Sequence, residues 1–432
     1  MPVLSAIRSR LSGGAGAVAL LVVMGGASLL LTPSRLGGDR LFGHGVVVAI
    51  VAAGWITFAV ALYTLWRSPR WRFLALGAFA IAVIALPTAA FVAYRVQTGV
   101  PLHLQDGSYQ TEIAAAELLR GRDPYGTDFA AAGMARWPMY TDPALSAGLH
   151  HYPYSPLTVL YAVPVVVVGQ LTGLPPDLRP LLLITGALAF WVILTLPWPW
   201  TSRYMLATLL CLNPLMFWQD GRNDALWLTT LLLAVALAYR HRWLLACLAL
   251  GVSAAFKIFA LPYLPLMGLL LIFWWRRRYV EAGTARLGVL ALILPIVMTV
   301  APFLLWSPSA LIGDTIGFTS VAGPHGYPIR GYGLSVLLLA AGILPSPYAT
   351  FPFGLVQAVV GAILLAVAGL MLLGRARFST VLDGGAAVIA GVLFCSLQFS
   401  DNYVASLLVV FALALATRAA ERSEWAAVLR AA

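Results

Sequence analysis

The sequence predicts an all-α, polytopic membrane protein of about 12–14 transmembrane helices, with a large early extracytoplasmic loop carrying short amphipathic helices. Three observations predict it. Of 432 residues, 61% are hydrophobic and 10% charged, with a mean hydropathy of +0.89, which excludes an ordinary soluble domain. Apolar runs recur at 14–32, 45–66, 73–94, 180–199, 224–239, 286–306, 353–373 and 402–417, near the roughly 20 residues a spanning helix needs. Arginines cluster in the short stretches between these runs.

Taken in order, the first run follows Arg8 and Arg10 as the core of a signal peptide would. It lacks a clean small-x-small cleavage site and two more spans follow at once, so it reads as a retained helix. Shorter or polar-interrupted segments follow near 157–172, 203–218, 242–257, 259–275, 333–344 and 384–398. The net charge of +11 comes from 26 arginines and one lysine, and it reports topology, with no nucleic-acid partner. Cys211, Cys247 and Cys395 stand singly in apolar surroundings, as packing residues.

Orientation follows from the arginines. Arg8 and Arg10, Arg67 to Arg72, Arg240 and Arg242, Arg276 to Arg278 with Arg286, Arg375 and Arg377, and Arg418 with Arg422 belong inside. The stretches 95–156, 219–224, 307–332 and 398–402 then lie outside. Arg35, Arg40 and Arg95 fall outside against the bias. Three segments separate Pro156 from Gln219 where charge allows an even number, so one of them is a half-helix or a pair of short ones. The segment 333–344, closed by Pro345 and Pro347, reads as re-entrant. Both irregularities point to a cavity on the outer side. The divisions are 1–94, three N-terminal spans; 95–156, the outer loop; 157–306, a central bundle; 307–352, a second outer loop; and 353–432, C-terminal spans with a short inner tail.

The 95–156 loop is too long for a passive connector. It carries Asp106, Glu112, Glu117, Asp123, Asp128 and Asp142, six of the chain's sixteen acids. Tyr109, Ile113, Ala116 and Leu119 recur at helical spacing, which predicts a short amphipathic helix over 108–120 on the membrane face, stopped by Gly121 and Pro124.

An Asp after an early span, a helix ending in Leu-Leu-Arg-Gly-Arg-Asp-Pro-Tyr (118–125), and Tyr152-Pro153-Tyr154-Ser155-Pro156 opening the next apolar segment form a pattern. It continues in Asn213-Pro214, Gly221-Arg222-Asn223-Asp224 and Ala254-Ala255-Phe256-Lys257 before Pro262. This pattern resembles the C-superfamily membrane glycosyltransferases, and within them the polyprenol-phosphate-mannose-dependent mannosyltransferases of glycosyltransferase family 87. The likeness covers about 95–280, with Tyr-Pro-Tyr-Ser-Pro in place of Tyr-Pro-Pro. It implies a polyprenyl-phosphate sugar donor, a glycan, glycolipid or protein acceptor, and a general base at Asp106.

Read as residues, Asp106 is either a helix N-cap or a carboxylate whose apolar surroundings fit it for base work; Asp123, Glu112 and Asp128 are alternatives. Lys257 is the sole lysine and lies in an apolar segment. It either snorkels to the interface or offers a compact cation to a lipid-linked phosphate, with Arg330 and Arg222 as further phosphate ligands. Glu112, Asp123, Tyr125, His151, Tyr152, Asn223 and Asp224 are the substrate-binding candidates, the last two alternatively helix caps. His150 and His151 lack acidic partners at metal spacing, so no cofactor is assigned. Trp137, Tyr140, Tyr152, Tyr154 and Trp218 are interface-belt residues or sugar platforms.

The activity expected is inverting transfer of a sugar at the outer face of a bacterial plasma membrane. The competing expectation is a transporter or flippase of lipid-linked sugars, although no inverted repeat is visible. A lipid-linked polymer ligase or polymerase fits less well, because its large outer loop comes late in the chain.

Overall fold

The computed structural model describes residues 14–37, 39–68, 70–134, 149–320 and 327–431. Its main helices are α1 (Gly14–Arg35), α2 (His44–Arg67), α3 (Arg72–Thr98), α4 (Asp106–Leu119), α5 (Pro156–Thr172), α6 (Arg179–Leu194) and α7 (Trp200–Cys211). They continue with α8 (Asp224–Tyr239), α9 (Trp243–Phe256), α10 (Tyr263–Arg276), α11 (Ala282–Trp306), α12 (Phe353–Gly374), α13 (Phe378–Phe394) and α14 (Asp401–Ala431). Among the described residues, seven helices are long and apolar enough to cross a membrane, and five more apolar helices run 10–17 residues. The chain is an all-α membrane protein. The strands among the described residues are a two-residue parallel pair, β1 (Arg330–Gly331) beside β2 (Gln398–Phe399).

The chain groups into two compact units, Met1–Leu104 with Arg179–Arg222, and Gln105–Leu178 with Asn223–Ala432. In the first, small residues let helices approach: a Cβ on Gly25 would lie 2.7 Å from the Phe79 ring, and one on Gly54 2.6 Å from Leu29. Pro87 has no N–H to give the carbonyl four residues back. That carbonyl, Val83 O, accepts from Gln219 Nε2 at 2.7 Å instead. The apolar stretch 203–218 is not one helix. α7 stops at Cys211, Asn213 Oδ1 caps Leu215 N at 3.1 Å, and two 3-10 turns follow through Asp220. Arg35, the cation that defies the inside bias, donates to Gln219 Oε1 and Pro214 O, each at 2.9 Å. Its position is set by that turn.

In the second unit, Gly251 of α9 meets the backbone of α11, where a Cβ would fall 2.5 Å from Leu292 O and 2.9 Å from Ala291 O. Pro295 leaves Ala291 O without its helical N–H, so the close approach occurs where α11 has a spare acceptor. α9 ends at Phe256, and its last carbonyl accepts from Ser155 Oγ at 2.8 Å and Thr158 Oγ1 at 3.3 Å. The Tyr-Pro-Tyr-Ser-Pro run is thus, in part, a helix C-cap for another element.

One expectation changes. The 108–120 helix exists as α4, but burial is not confined to its apolar stripe: Ile113 is buried and Leu119 is 40% exposed, while Ser108, Gln110, Thr111, Glu112 and Glu117 are buried as well. Polar side chains turn inward because partners wait there. α5 is the first of the segments between Pro156 and Gln219. Neighbouring residues of α4 hold the chain on both sides of it, Thr111 Oγ1 with the Tyr152 hydroxyl at 3.0 Å and Glu112 Oε1 with Leu178 N at 2.7 Å. The chain before and after α5 is therefore tied to adjacent residues of one helix. Within 333–344 the helix is only Leu334–Ala340, too short to span.

Candidate active site

Gln105 supplies the N-cap of α4 and Asp106 is its first residue, so the cap expected of Asp106 belongs to its neighbour. Asp106 Oδ1 accepts from Gly107 N at 2.8 Å and from the Gln105 amide. Oδ2 has no hydrogen-bond partner among the described residues. A carboxylate at a helix N-terminus is favoured by the exposed N–H groups and the dipole. Gly107 is needed here, since any Cβ would collide with the Tyr154 ring lying over this first turn.

Tyr154 lies over the turn that carries this carboxylate, and the charge of Asp106 acts on both Tyr154 and Tyr327. The protein packed around Tyr154 pushes its hydroxyl well above the ordinary phenol range, and the charges of Asp106, Tyr403 and Tyr327 push the same way. Tyr327 is raised by burial and by Asp106, against the pull of Arg330. The Arg330 guanidinium lies 4.7 Å from the Tyr327 ring centre and donates to its hydroxyl. β1 holds Arg330 in place: Tyr332 N donates to Phe399 O at 2.8 Å, and Gly331 and Gly333 take φ of +97° and +118° where side chains would meet the backbone of Phe399 and Phe394.

Tyr403 connects this group to Lys257. The Lys257 ammonium sits 5.0 Å from the Tyr403 ring and 4.9 Å from Phe259. The backbone leaves α9 at Lys257, with φ −152° and ψ 132°. Its Nζ is 2.5 Å from Asp224 Oδ1, and its side chain is only 13% exposed. It therefore does not snorkel; it forms an ion pair inside the unit. Asp224 uses both oxygens, since Oδ2 accepts from Asn402 Nδ2 at 2.6 Å and Oδ1 also from the Trp227 indole at 3.3 Å. The cap reading of Asn223 and Asp224 fails on their side chains: Asn223 makes no side-chain cap bond, and Asp224 is the hub of this buried set.

A second carboxylate, Asp314, ties the early loop to residues 307–320. Its Oδ2 accepts from Gly126 N at 2.9 Å and Tyr152 N at 3.1 Å, and its Oδ1 meets His151 Nδ1 at 2.7 Å. The His151 ring stacks on Phe318 at 4.5 Å. Tyr125 and Tyr152 are buried; the Tyr125 hydroxyl donates to Tyr154 O at 2.8 Å and the rings of Tyr152 and Tyr154 meet at 5.4 Å. They form the wall behind Tyr154.

Leu-Leu-Arg-Gly-Arg-Asp-Pro-Tyr is a helix stop followed by a turn. Gly121 takes φ +74°, Arg122 N donates to Glu117 O at 2.9 Å and Gly121 N to Leu118 O at 3.0 Å, the paired bonds of a Schellman cap. Glu117 also pairs with Arg120 at 2.7 Å and with Arg122, whose hydrogen bond is the first cause holding its carboxyl below the usual range. Asp123 Oδ1 accepts from Tyr125 N at 3.0 Å, and burial raises its carboxyl. Glu112 is buried and turned to Leu178. The exposed His150 pairs with Asp128 at 3.2 Å. Among the described residues no group of three or more His, Cys, Asp or Glu is placed to hold a metal ion.

Asp106, Lys257 and Arg330 thus fall in one unit, Lys257 against Tyr403 and Arg330 against Tyr327, whereas Arg222 belongs to the other. There it lies 4.7 Å from Phe217, with Arg35 at 5.3 Å from the same ring. Nearby Asp220 is raised by burial despite Arg35, His103, Arg222 and Arg179, and burial lowers His103. Trp218 is buried, its indole donating to Leu210 O at 2.8 Å. Trp137, Tyr140 and Asp142 lie outside the described residues, as do Arg8 and Arg10. Sequence reasoning missed Asp314, Asn402 and Tyr403; a lone acid within an otherwise uncharged 307–320 was the signal for the first. No protein-family model, no curated protein and no solved structure matches the chain.

Proposed function

We propose that this protein is a membrane glycosyltransferase that moves a sugar from a polyprenyl-phosphate donor to an acceptor hydroxyl, with Asp106 as general base. The observation that supports it is the free oxygen of Asp106: Oδ2 is uncommitted, in the same unit as Tyr154, Lys257 and Arg330. In this reading Asp106 takes the acceptor's hydroxyl proton, the oxygen attacks the anomeric carbon, and the bond from that carbon to the phosphate oxygen breaks. One base and direct displacement invert the anomeric centre, and the lipid phosphate leaves with both electrons of that bond. Arg330 is exposed and suited to receive the phosphate. Lys257 gives one of its three donors to Asp224 and has two more to offer. The resemblance to family 87 adds mannose as the sugar and the outer face of a bacterial plasma membrane as the setting, with a glycan, glycolipid or protein as acceptor.

The test is transfer from a radiolabelled polyprenyl-phosphate sugar by purified protein in detergent. Asp106→Asn keeps the helix start and removes the base, so transfer is expected to fall by about 10²–10⁴-fold with an unchanged thermal midpoint. A rate near that of the unaltered protein would take Asp106 out of the reaction.

A further inference from the structure

Three arginine-bearing turns, distant in sequence, are drawn together in the second unit by two tryptophans. Trp243, which follows Arg242, packs edge-on against Trp274 at 4.6 Å and meets Phe378 at 6.0 Å. The Trp274 indole donates at 3.0 Å to Ala376 O, between Arg375 and Arg377. Tyr279 N donates to Trp274 O at 2.8 Å and Arg278 takes φ +61°, so the chain reverses just after α10 and leaves Arg276, Arg277 and Arg278 at the surface.

Arg242, Arg276, Arg277, Arg278, Arg286 and Arg375 are exposed, and their side chains have no partner among the described residues. The run 276–286 contains one acid, Glu281. A depression of about 560 Å³ lies in this turn, with Trp275, Arg276, Arg278 and Tyr279 among its lining. Trp275 and Tyr279 are 45% and 71% exposed, and the adjoining face of α11 exposes Leu287 and Leu290. The combination has three parts: unpaired guanidinium forks that match phosphate oxygens, amphipathic rings that favour the headgroup level, and an apolar flank beside them.

We propose that this patch is a binding site for the phosphate headgroup of an anionic phospholipid, with the acyl chains against the exposed leucines of α11. Charge complementarity selects the occupant. A zwitterionic headgroup offers the same phosphate but adds a cation facing the arginines, and a free phosphate ion makes no use of the apolar flank. The inference is independent of the sugar-transfer reading, since none of these residues belongs to the Asp106 site.

The experiment uses the full chain in detergent, exchanged against equal amounts of phosphatidylglycerol and phosphatidylcholine, with retained lipid counted by native mass spectrometry. Phosphatidylglycerol is expected to be retained preferentially. Arg276→Gln with Arg278→Gln should weaken its retention about 30-fold, roughly fivefold for each charge removed. The same change at Arg67 and Arg70 is the control, and should leave retention on this patch unchanged. Equal retention of the two lipids by the unaltered protein would overturn the proposal, whether or not the variant folds. So would unchanged retention in a folded Arg276/Arg278 variant, or displacement of the lipid by millimolar inorganic phosphate.

Discussion

Asp106 and Asp314 are both acids beside the same loop, and both accept backbone N–H groups, but they spend their oxygens differently. Asp314 commits both, to Gly126 N, Tyr152 N and His151. Asp106 commits only Oδ1 and leaves Oδ2 free. Asp224 falls with Asp314, each oxygen held by a fixed donor. A carboxylate whose oxygens are all held is a joint, because taking up a proton would break bonds the fold needs. One with a spare oxygen can accept a proton and keep its place. The count of acids in a loop therefore says less about chemistry than the count of their unspent lone pairs.

The contrast breaks first at Asp224 if it breaks at all. Asp224→Asn leaves the Lys257 charge inside the protein without a counter-ion, which costs about 3–5 kcal/mol. The purified variant should show a large fall in thermal midpoint, and Lys257→Met alone a fall of the same kind. The double variant, Asp224→Asn with Lys257→Met, should regain much of the loss, since the unpaired charge is gone. If each single variant were as stable as the parent, the pair would be a surface accident and not a joint.

Asp314→Asn is expected to cost about 1–3 kcal/mol, because the amide turns a donor towards groups that also donate. Its signature is lost stability with transfer falling in proportion to folded protein. A fully stable but inactive Asp314→Asn protein would move Asp314 into the same class as Asp106 and dissolve the comparison.

Glu117 sharpens it with the smallest effect. Its carboxyl is held low, chiefly by the Arg122 hydrogen bond, then by Arg120, so the pair stabilises the fold above the ordinary carboxyl range and the contribution disappears as pH falls through the lowered value. Glu117→Gln should lower the thermal midpoint at pH 7 by no more than about 2 °C, as an ion pair with exposed arginines allows, and the difference from the parent should vanish in acid. A difference that grew with acidity would reverse the sign assigned to Glu117.

Much was legible in the sequence because the membrane imposes one-dimensional rules. Apolar run length located the helices to within a few residues, as 45–66 against His44–Arg67 and 353–373 against Phe353–Gly374 show. It failed at 203–218, where Pro214 and its cap divide an apolar run. Periodicity found α4 but missed that its polar side is buried too, since it assumes that polar means outward. Of the candidate site residues, Asp106, Lys257 and Arg330, which fall in one unit, were conspicuous in the sequence for their surroundings. Asn402 and Tyr403 were not, because a helix start after a polar turn looks the same whether or not a buried acid waits opposite it.

By itself the sequence determined the all-helical membrane class, the helix positions and the unusual place of the sole lysine, since these follow from local apolar length and composition. Only the tertiary structure decided that Lys257 is paired, that the chain on both sides of α5 is tied to α4, and which carboxylate has an oxygen to spare. Those are questions of donors arriving from residues up to 188 positions away, as Gly126 reaches Asp314, and no local pattern encodes such a partner.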